Sequence, residues 1–562
     1  MTMFKKTDPN PQLDIFTAPS MQLGSRASKK YSDPNAWHNQ FYSLVTTKIN
    51  EEIFKPLFPE GKKCGRPNAS IRILVAMSAL KEGFGCSDED LFEKCEFDLL
   101  TRKALGMELL TDVTPSIDTY YLFRRRICEY QERTGIDLMQ LCFEQLAGNQ
   151  VRLLKISGKC VRMDSKLIGS NIARQSRYEL IHTTLVKFLK TCTLSDLSPE
   201  QEERAKEYLK EDSSKTVYRS DSDMLQSNLA RIGNFIMEML ATFPATSPAH
   251  DLLQRLFDEQ YAVKDGKAVL RDKKEVKADS LQNPNDPDAT YRAKNDQKVQ
   301  GYVTNITETV EEGKPNIITS VQVETAVFAD CHFLQEAVEN SERVTDSTIE
   351  DLYADGAYQS PDNREFAKNH NAMQLKTGKM QGGCRWELIP HDEDGLTVRE
   401  IATGNTYEAV KAVTKQGSRK RWRIPWNNKT GWRYFEDKDI KAYQLRKQIE
   451  SLPLEEQHKR NNVEAAMFQY SFHTRKGKTR YRGLLKHRMH AYSRCMWMNL
   501  RRMVIFQIST FQRSIFALFG PIREAFGSFK AISRKIFTSG ADCYVSLRMT
   551  TLARLDSKYV PF

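Results

Sequence analysis

Two runs rich in β-branched and aromatic residues, 301–310 and 317–327, stand on either side of Glu311-Glu312-Gly313-Lys314-Pro315. Turn residues between such runs predict an antiparallel hairpin, so the chain must build a sheet. A further strand is predicted over 160–170, where Val161, Met163 and Leu167 alternate with Arg162, Asp164 and Lys166 at period two. After the hairpin the pattern predicts a helix over 334–339 and a short strand ending at Leu352-Tyr353-Ala354-Asp355. A helix over 362–369 and a short strand over 373–375 follow.

The remaining text divides around this frame. Residues 1–34 are rich in Pro, Ser, Asn and Lys without periodicity and read as a flexible arm. From 35 to 150 apolar residues recur at helical spacing, beginning with Phe41, Leu44, Val45, Ile49 and Ile53. Ser87-Asp88-Glu89-Asp90 has the form of a capping box. Thr114-Pro115-Ser116 opens a helix carrying Arg124, Arg125 and Arg126. Short helices with one arginine-rich member predict an all-helical, helix-turn-helix-like DNA-binding domain over 35–150, although such a run taken alone is more often a solvated face. Residues 178–262 are helical and strongly charged, and 276–297 are polar and read as a loop, so 171–297 is a helical insertion. A β-rich insertion over 380–440 holds Trp386, Trp422, Trp426 and Trp432. Its tryptophans either fill a small β core or stack on an unpaired base while Arg419, Lys420, Arg421 and Arg423 grip phosphates. Helical text resumes at 440 and runs to 503, and 504–562 is a basic, aromatic tail.

With the helical insertion set aside, the order is strand, strand, strand, helix, strand, helix, strand, late helix. Asp164 lies on the first strand, Asp355 ends the fourth, and Glu464 lies on the late helix. This is the skeleton of an RNase H-like domain, whose first and fourth strands are neighbours and whose last helix crosses them. The predicted fold is therefore α/β: an RNase H-like mixed sheet over 151–503, with helical and β-rich insertions, after an all-helical domain. Three carboxylates so placed can converge to hold two Mg²⁺ or Mn²⁺ ions about 4 Å apart. Gly356, after Asp355, would let the backbone turn sharply and a phosphate come close.

Val161-Arg162-Met163-Asp164-Ser165, Tyr353-Ala354-Asp355-Gly356-Ala357-Tyr358 and Arg460-Asn461-Asn462-Val463-Glu464 resemble the three catalytic blocks of bacterial insertion-sequence transposases of the DDE class. Residues 58–127 resemble the helical N-terminal domain common in that family, with Gly65-Arg66-Pro67 and Ser116-Ile117-Asp118-Thr119. Arg482-Gly483-Leu484-Leu485-Lys486 and Asn499-Leu500-Arg501-Arg502 match its later basic stretch. The resemblance spans roughly 58–503. It implies Asp164, Asp355 and Glu464 as catalytic, metal-binding residues that cut DNA at terminal inverted repeats and join the freed 3′-hydroxyl to target DNA. Arg124, Arg125, Arg126, Arg460, Lys476, Lys478, Arg482 and Lys486 are the DNA-contact candidates. Related families carry Tyr where this chain has Gln457 and Lys where it has Ser471, which points away from hairpin-sealed ends more than from hydrolysis. The β-rich insertion has only Cys384, so zinc is not expected there.

Composition agrees with a nucleic-acid partner. The chain of 562 residues has 84 Lys+Arg against 72 Asp+Glu, a formal charge of +12, which suits a polyanion. With 40% hydrophobic residues it is not a disordered chain. The apolar stretch 503–520 is broken by Gln507, Gln512 and Arg513, so no membrane span is expected. Eleven cysteines lie scattered with no Cys-x-x-Cys pair, as in a reducing bacterial cytoplasm, here associated with the nucleoid. Pairing two DNA ends needs two active sites, so a dimer or higher oligomer on DNA is expected. The contrasting reading is a DNA-binding regulator that keeps the fold without cutting.

Overall fold

The computed structural model describes residues 4–6, 18–58, 68–243, 247–294, 297–377, 384–391, 395–412, 421–426, 431–451 and 453–525. Helices α1 (Pro19–Gln22), α2 (Ser25–Tyr31), α3 (Trp37–Leu44), α4 (Ile71–Phe84), α5 (Asp88–Phe97), α6 (Leu99–Leu105), α7 (Ile117–Thr134) and α8 (Leu138–Leu154) precede strand β1 (Cys160–Gly169). Ser87 and Asp90 form the expected reciprocal cap on α5, and Ser116 caps α7. Then come α9 (Arg177–Leu189), α10 (Pro199–Lys210), α11 (Ser213–Arg219), α12 (Ser222–Thr242) and α13 (Pro248–Gln260), with the hairpin β2 (Tyr261–Lys264) and β3 (Lys267–Leu270). These pack around their own core, including Ile181, Leu185, Phe235, Ile236 and Leu256.

The central sheet is mixed. Its strands after β1 are β4 (Thr290–Lys294), β5 (Gln297–Thr309), β6 (Ile318–Thr325), β7 (Asp351–Ala354) and β8 (Gln374–Thr377). β1 pairs antiparallel with β5, from Val161↔Thr309 to Gly169↔Gly301, and parallel with β7. β5 pairs antiparallel with both β4 and β6, and β7 pairs parallel with β8. Helices α14 (Leu334–Thr345) and α15 (Pro361–Asn369) connect the later strands. β9 (Trp386–His391), β10 (Gly395–Glu400), β11 (Thr406–Ala412), β12 (Arg421–Trp426) and β13 (Gly431–Glu436) form a separate five-stranded antiparallel sheet. Helices α16 (Asp437–Glu450), α17 (Leu454–Ser471) and α18 (Leu484–Ala525) follow.

Each face of the central sheet has its own cover. Val161, Met163, Val303, Leu352 and Ala354 pack with Leu334, Ala337 and Val338 of α14. On the other face, Ile168, Tyr302 and Ile306 join a cluster that runs through Met489, Tyr492 and Trp497 of α18 to Phe41, Val75 and Leu80 of the N-terminal helices.

The structure differs from the sequence reading in four places. Residues 19–31, expected within a flexible arm, form α1 and α2, because Tyr31 is buried, stacks on His38 and lies under Lys103. The helices of 35–150 have no core of their own; they share one with α18 and the sheet. Within the expected loop 276–297, β4 pairs with the start of β5 and so belongs to the sheet rather than the insertion. The expected tail begins inside a helix, since α18 continues through 503 to Ala525.

Candidate active site

The alternation of β1 decides which side chains share a face. Arg162, Asp164 and Lys166 lie on the face opposite Val161 and Met163, toward α17 and α18. Arg162, buried, bonds through Nε to Glu308 Oε1 at 2.6 Å, and Arg502 of α18 reaches Glu308 Oε2 at 2.7 Å. A buried ion cluster thus fixes β1, β5 and α18 at the root of the site.

The parallel pairing of β1 with β7 runs Cys160↔Asp351, Val161↔Leu352, Arg162↔Tyr353. The pairing ends there, and β7 ends at Ala354; continued by two residues, the same register would set Asp164 beside Asp355, at the spacing of about 4.8 Å between neighbouring strands. Asp355 is still extended, at φ −76° and ψ 161°, so its side chain keeps the alternation of Tyr353. Its carboxylate accepts the Gly356 N–H at 2.7 Å, and Asp164 Oδ1 accepts the Ser165 N–H at 2.8 Å. Both acids are half-buried. The buried Tyr358 hydroxyl bonds to Asn305 Oδ1 at 2.7 Å. Burial first, then the nearby charges of Asp164, Asp330 and Asp355, drive its pKa far above the ordinary phenol range. One phenol is thus influenced by both acids. Gly356 needs no left-handed backbone; a Cβ there would meet nothing within 4 Å. Its role beside Asp355 is open space, not the sharp turn expected.

Helix α17 packs against β1, β5 and β7. Val463, Ala466, Met467 and Tyr470 are buried at i, i+3, i+4 and i+7, the stripe of a helix lying on a sheet. Tyr470 meets Thr304 of β5 at 3.1 Å. Glu464, next to this stripe, is exposed at its rim. Among the described residues no three Asp, Glu, His or Cys side chains form a ready-made metal cage. Glu464 thus lies exposed at the edge of the helix that packs on β1, β5 and β7.

Lys166 was not among the sequence candidates. It donates to Ser471 Oγ at 2.7 Å and approaches Met467 O at 3.4 Å. Ser471 stands where the family resemblance leads one to expect a helical lysine. Burial pulls the Lys166 pKa down, opposed by Asp164. The signal was present in the sequence: Lys166 is two residues from Asp164 in a period-two strand.

The DNA-contact candidates fall into three groups. Arg124 turns inward, over the rings of Tyr120 and Tyr481 at 5.4 and 5.2 Å. Arg126 lies over Phe58, and Arg125 is exposed beside Glu129 at 3.5 Å. The run 124–126 is thus not one basic face. Lys476, Arg482 and Lys486 are exposed, together with Arg475 and Arg480, which the sequence reading passed over. Lys478 is half-buried, its Nζ donating to Ile172 O at 2.6 Å; the exposed Arg480 and Arg482 also donate to main-chain carbonyls, of Gly85 at 2.6 Å and Asn171 at 2.7 Å. The loop carrying these residues crosses the end of β1, with Gly169 N bonding Gly477 O at 2.8 Å. The Arg460 side chain lies outside the described residues.

In the β-rich insertion Trp422 is buried with Ile424 and Phe435, which fits the core-filling reading for that residue. Trp432 is exposed, with Arg423 over its ring at 4.2 Å. Arg419 and Lys420 lie outside the described residues. Nine cysteines are free among those described. No described helix is long and apolar enough to cross a membrane.

Residues 30–126 match the family model of a transposase domain, DUF772. No curated protein and no solved structure matches the chain. The matched segment covers the N-terminal helices that share a core with α18, and it supports a transposase.

Proposed function

We propose that this chain is a DDE-class DNA transposase with an RNase H-like catalytic sheet. In this reading it cleaves DNA at the terminal inverted repeats of an insertion sequence and transfers the 3′-hydroxyl ends to target DNA. The observation that carries the reading is the parallel register of β1 and β7 up to Arg162↔Tyr353, which, continued by two residues, would set Asp164 beside Asp355 on the face that α17 covers. The transposase-domain match over 30–126 supports it independently.

The donor chemistry fits a hard divalent cation. Two neighbouring aspartates and a nearby glutamate offer oxygen ligands only, the set preferred by Mg²⁺ and Mn²⁺. Asp164, Asp355 and Glu464 would hold two such ions, which when bound supply an activated attacking oxygen and charge stabilisation at the leaving one. Tyr358 and the Arg162–Glu308–Arg502 cluster hold the strand ends in register beneath them. Exposed Arg475, Lys476, Arg480, Arg482 and Lys486 would track the phosphate backbone of double-stranded DNA. Joining two ends calls for two active sites, hence a dimer or larger assembly on DNA, at the bacterial nucleoid.

The test uses duplexes copied from the DNA flanking the coding segment, incubated with purified protein and Mg²⁺. The parent should nick the end and join it to plasmid. Asp164→Asn and Asp355→Asn should each abolish both steps and leave end binding in place. Cutting by Asp164→Asn at the parental rate would refute the site. Binding without cutting by the parent would favour the regulator.

A further inference from the structure

A polar row crosses the face of the central sheet away from Asp164, where Val161, Met163 and Val303 pack against Leu334, Ala337 and Val338 of α14. Ser165 of β1 stands opposite Asn305 of β5, and Asn305 opposite Gln322 of β6. Asn305 is fully buried and Gln322 nearly so. Gln322 Nε2 donates to Glu336 Oε2 of α14 at 2.9 Å and to Phe333 O at 3.3 Å. Asn305 Nδ2 donates to Gln322 Oε1 at 2.8 Å, and the Tyr358 hydroxyl donates to Asn305 Oδ1 at 2.7 Å.

The row has a direction, and its outer end sets it. A carboxylate and a main-chain carbonyl only accept, so they hold the Gln322 amide with its nitrogen toward α14. The Gln322 oxygen then faces Asn305 and accepts from it, which turns the Asn305 oxygen toward Tyr358. Amides buried so deeply are costly unless bonded, and an apolar pair of the same shape would be about as stable. Packing alone gives no reason for them; the residue on which the row ends does. The pairing of β1 with β7 stops at Arg162↔Tyr353, two residues short of Asp355. Beyond it comes the short helical turn Gly356–Tyr358, in which the Tyr358 N–H bonds Asp355 O at 3.0 Å. The Tyr358 hydroxyl ties this turn to β5. We propose that Asn305 and Gln322 are positioning residues for Asp355: they hold Tyr358, and through it the turn that presents the carboxylate toward Asp164. This inference rests on the reading of Asp164 and Asp355 as a metal-holding pair.

The experiment titrates Mn²⁺ into the full chain without DNA and follows the free ion by electron paramagnetic resonance. Tyr358→Phe keeps the ring and removes the tie; Gln322→Met releases the Asn305 amide from its orientation. Each should weaken Mn²⁺ affinity about 10-fold, as loss of a partner behind a metal ligand does. Gln322→Glu, the conservative variant, still accepts from Asn305 and should restore the affinity, although a carboxylate beside Glu336 lowers its melting temperature. Affinity would then follow the direction of the row and not the stability of the fold. In cleavage assays the Mg²⁺ needed for half the maximal rate should rise about 10-fold in Tyr358→Phe, with the rate recovered in excess Mg²⁺. Thermal melts identify a variant that does not fold, and the others then decide. Parental Mn²⁺ affinity in a folded Tyr358→Phe or Gln322→Met overturns the inference, as does an equal loss in Gln322→Glu and Gln322→Met. If the parent shows no Mn²⁺ binding that Asp164→Asn abolishes, the reading of the aspartates falls and takes this inference with it. If Asp164→Asn abolishes binding and the row variants keep it, only this inference falls.

Discussion

Asp286 shows how much a single buried carboxylate can organise. It accepts from Ser170 at the end of β1 and from Tyr302 Oη of β5 at 2.5 Å, joining the helical insertion to the central sheet. Asp286→Ala leaves two buried hydroxyls without their acceptor and should destabilise the protein by about 3 kcal/mol, read as a lower urea midpoint. His487 packs against the same tyrosine, with ring centroids 4.1 Å apart. Burial pulls its imidazole from 6.5 to about 4. The unfolded chain therefore takes up this proton first, and stability declines as pH falls through 6.5 toward 4. Between pH 7 and 5 the loss is about 2 kcal/mol. His38 and His182, also lowered chiefly by burial, add to it with the same sign. Melting temperatures should fall over that interval in the parent and fall less in His487→Gln; a flat parental profile would contradict the assignment.

Between elements, close approach matters more than propensity. Gly169 and Gly301 face each other across β1 and β5. A Cβ on Gly301 would stand 2.4 Å from Ile168 O, and one on Gly169 would stand 2.8 Å from Lys478 Cγ. Gly301 lets β5 approach the backbone of β1 closely, and Gly169 lets the basic loop after α17 lie against the sheet end. Gly301→Ala should cost about 3 kcal/mol through this clash, whereas Gly356→Ala, in open space, should change stability by less than about 0.5 kcal/mol. Chemical denaturation of the pair checks the contrast. The basic loop itself is tested by charge removal: Arg482→Ala and Lys486→Ala should each lower the salt slope of DNA binding by about 0.9. Lys478→Ala should instead act on stability, because its side chain is half-buried and its ammonium bonds Ile172 O.

At the scale of the molecule, the N-terminal helices and the central sheet share one core through α18. Trp497 lies against Gly83 of α4 and makes ring contacts with Trp37, Phe41 and Phe84. Glu82 of α4 meets His490 at 2.7 Å. Burial alone would raise the Glu82 pKa, but His490 and Lys81 outweigh it and hold the carboxylate ionised. Trp497→Ala should cost about 4 kcal/mol and loosen helices and sheet together, seen as one transition by both tryptophan fluorescence and circular dichroism. A segment ending near 155 should not fold alone, since its apolar face is completed by α18. The reader and the cutter in the proposed enzyme would then hold a fixed mutual geometry.

The sequence by itself determined the local elements and their chemistry. The turn at 311–315, the caps at Ser87 and Ser116, and the strand period around Asp164 all rest on contacts within a few residues, and all are present. That Asp164 and Asp355 would be neighbours could be anticipated only from the order of elements along the whole chain and from the resemblance, for nothing local links two positions so far apart. Tertiary structure alone decided the rest. It turned Arg124 inward between two tyrosine rings and drew 19–31 into short helices against Tyr31's pocket. It also merged the N-terminal helices with α18 and delivered Lys166 to Ser471. Each outcome depends on which surfaces meet, and burial across elements overrides the preferences a residue has among its near neighbours in the chain.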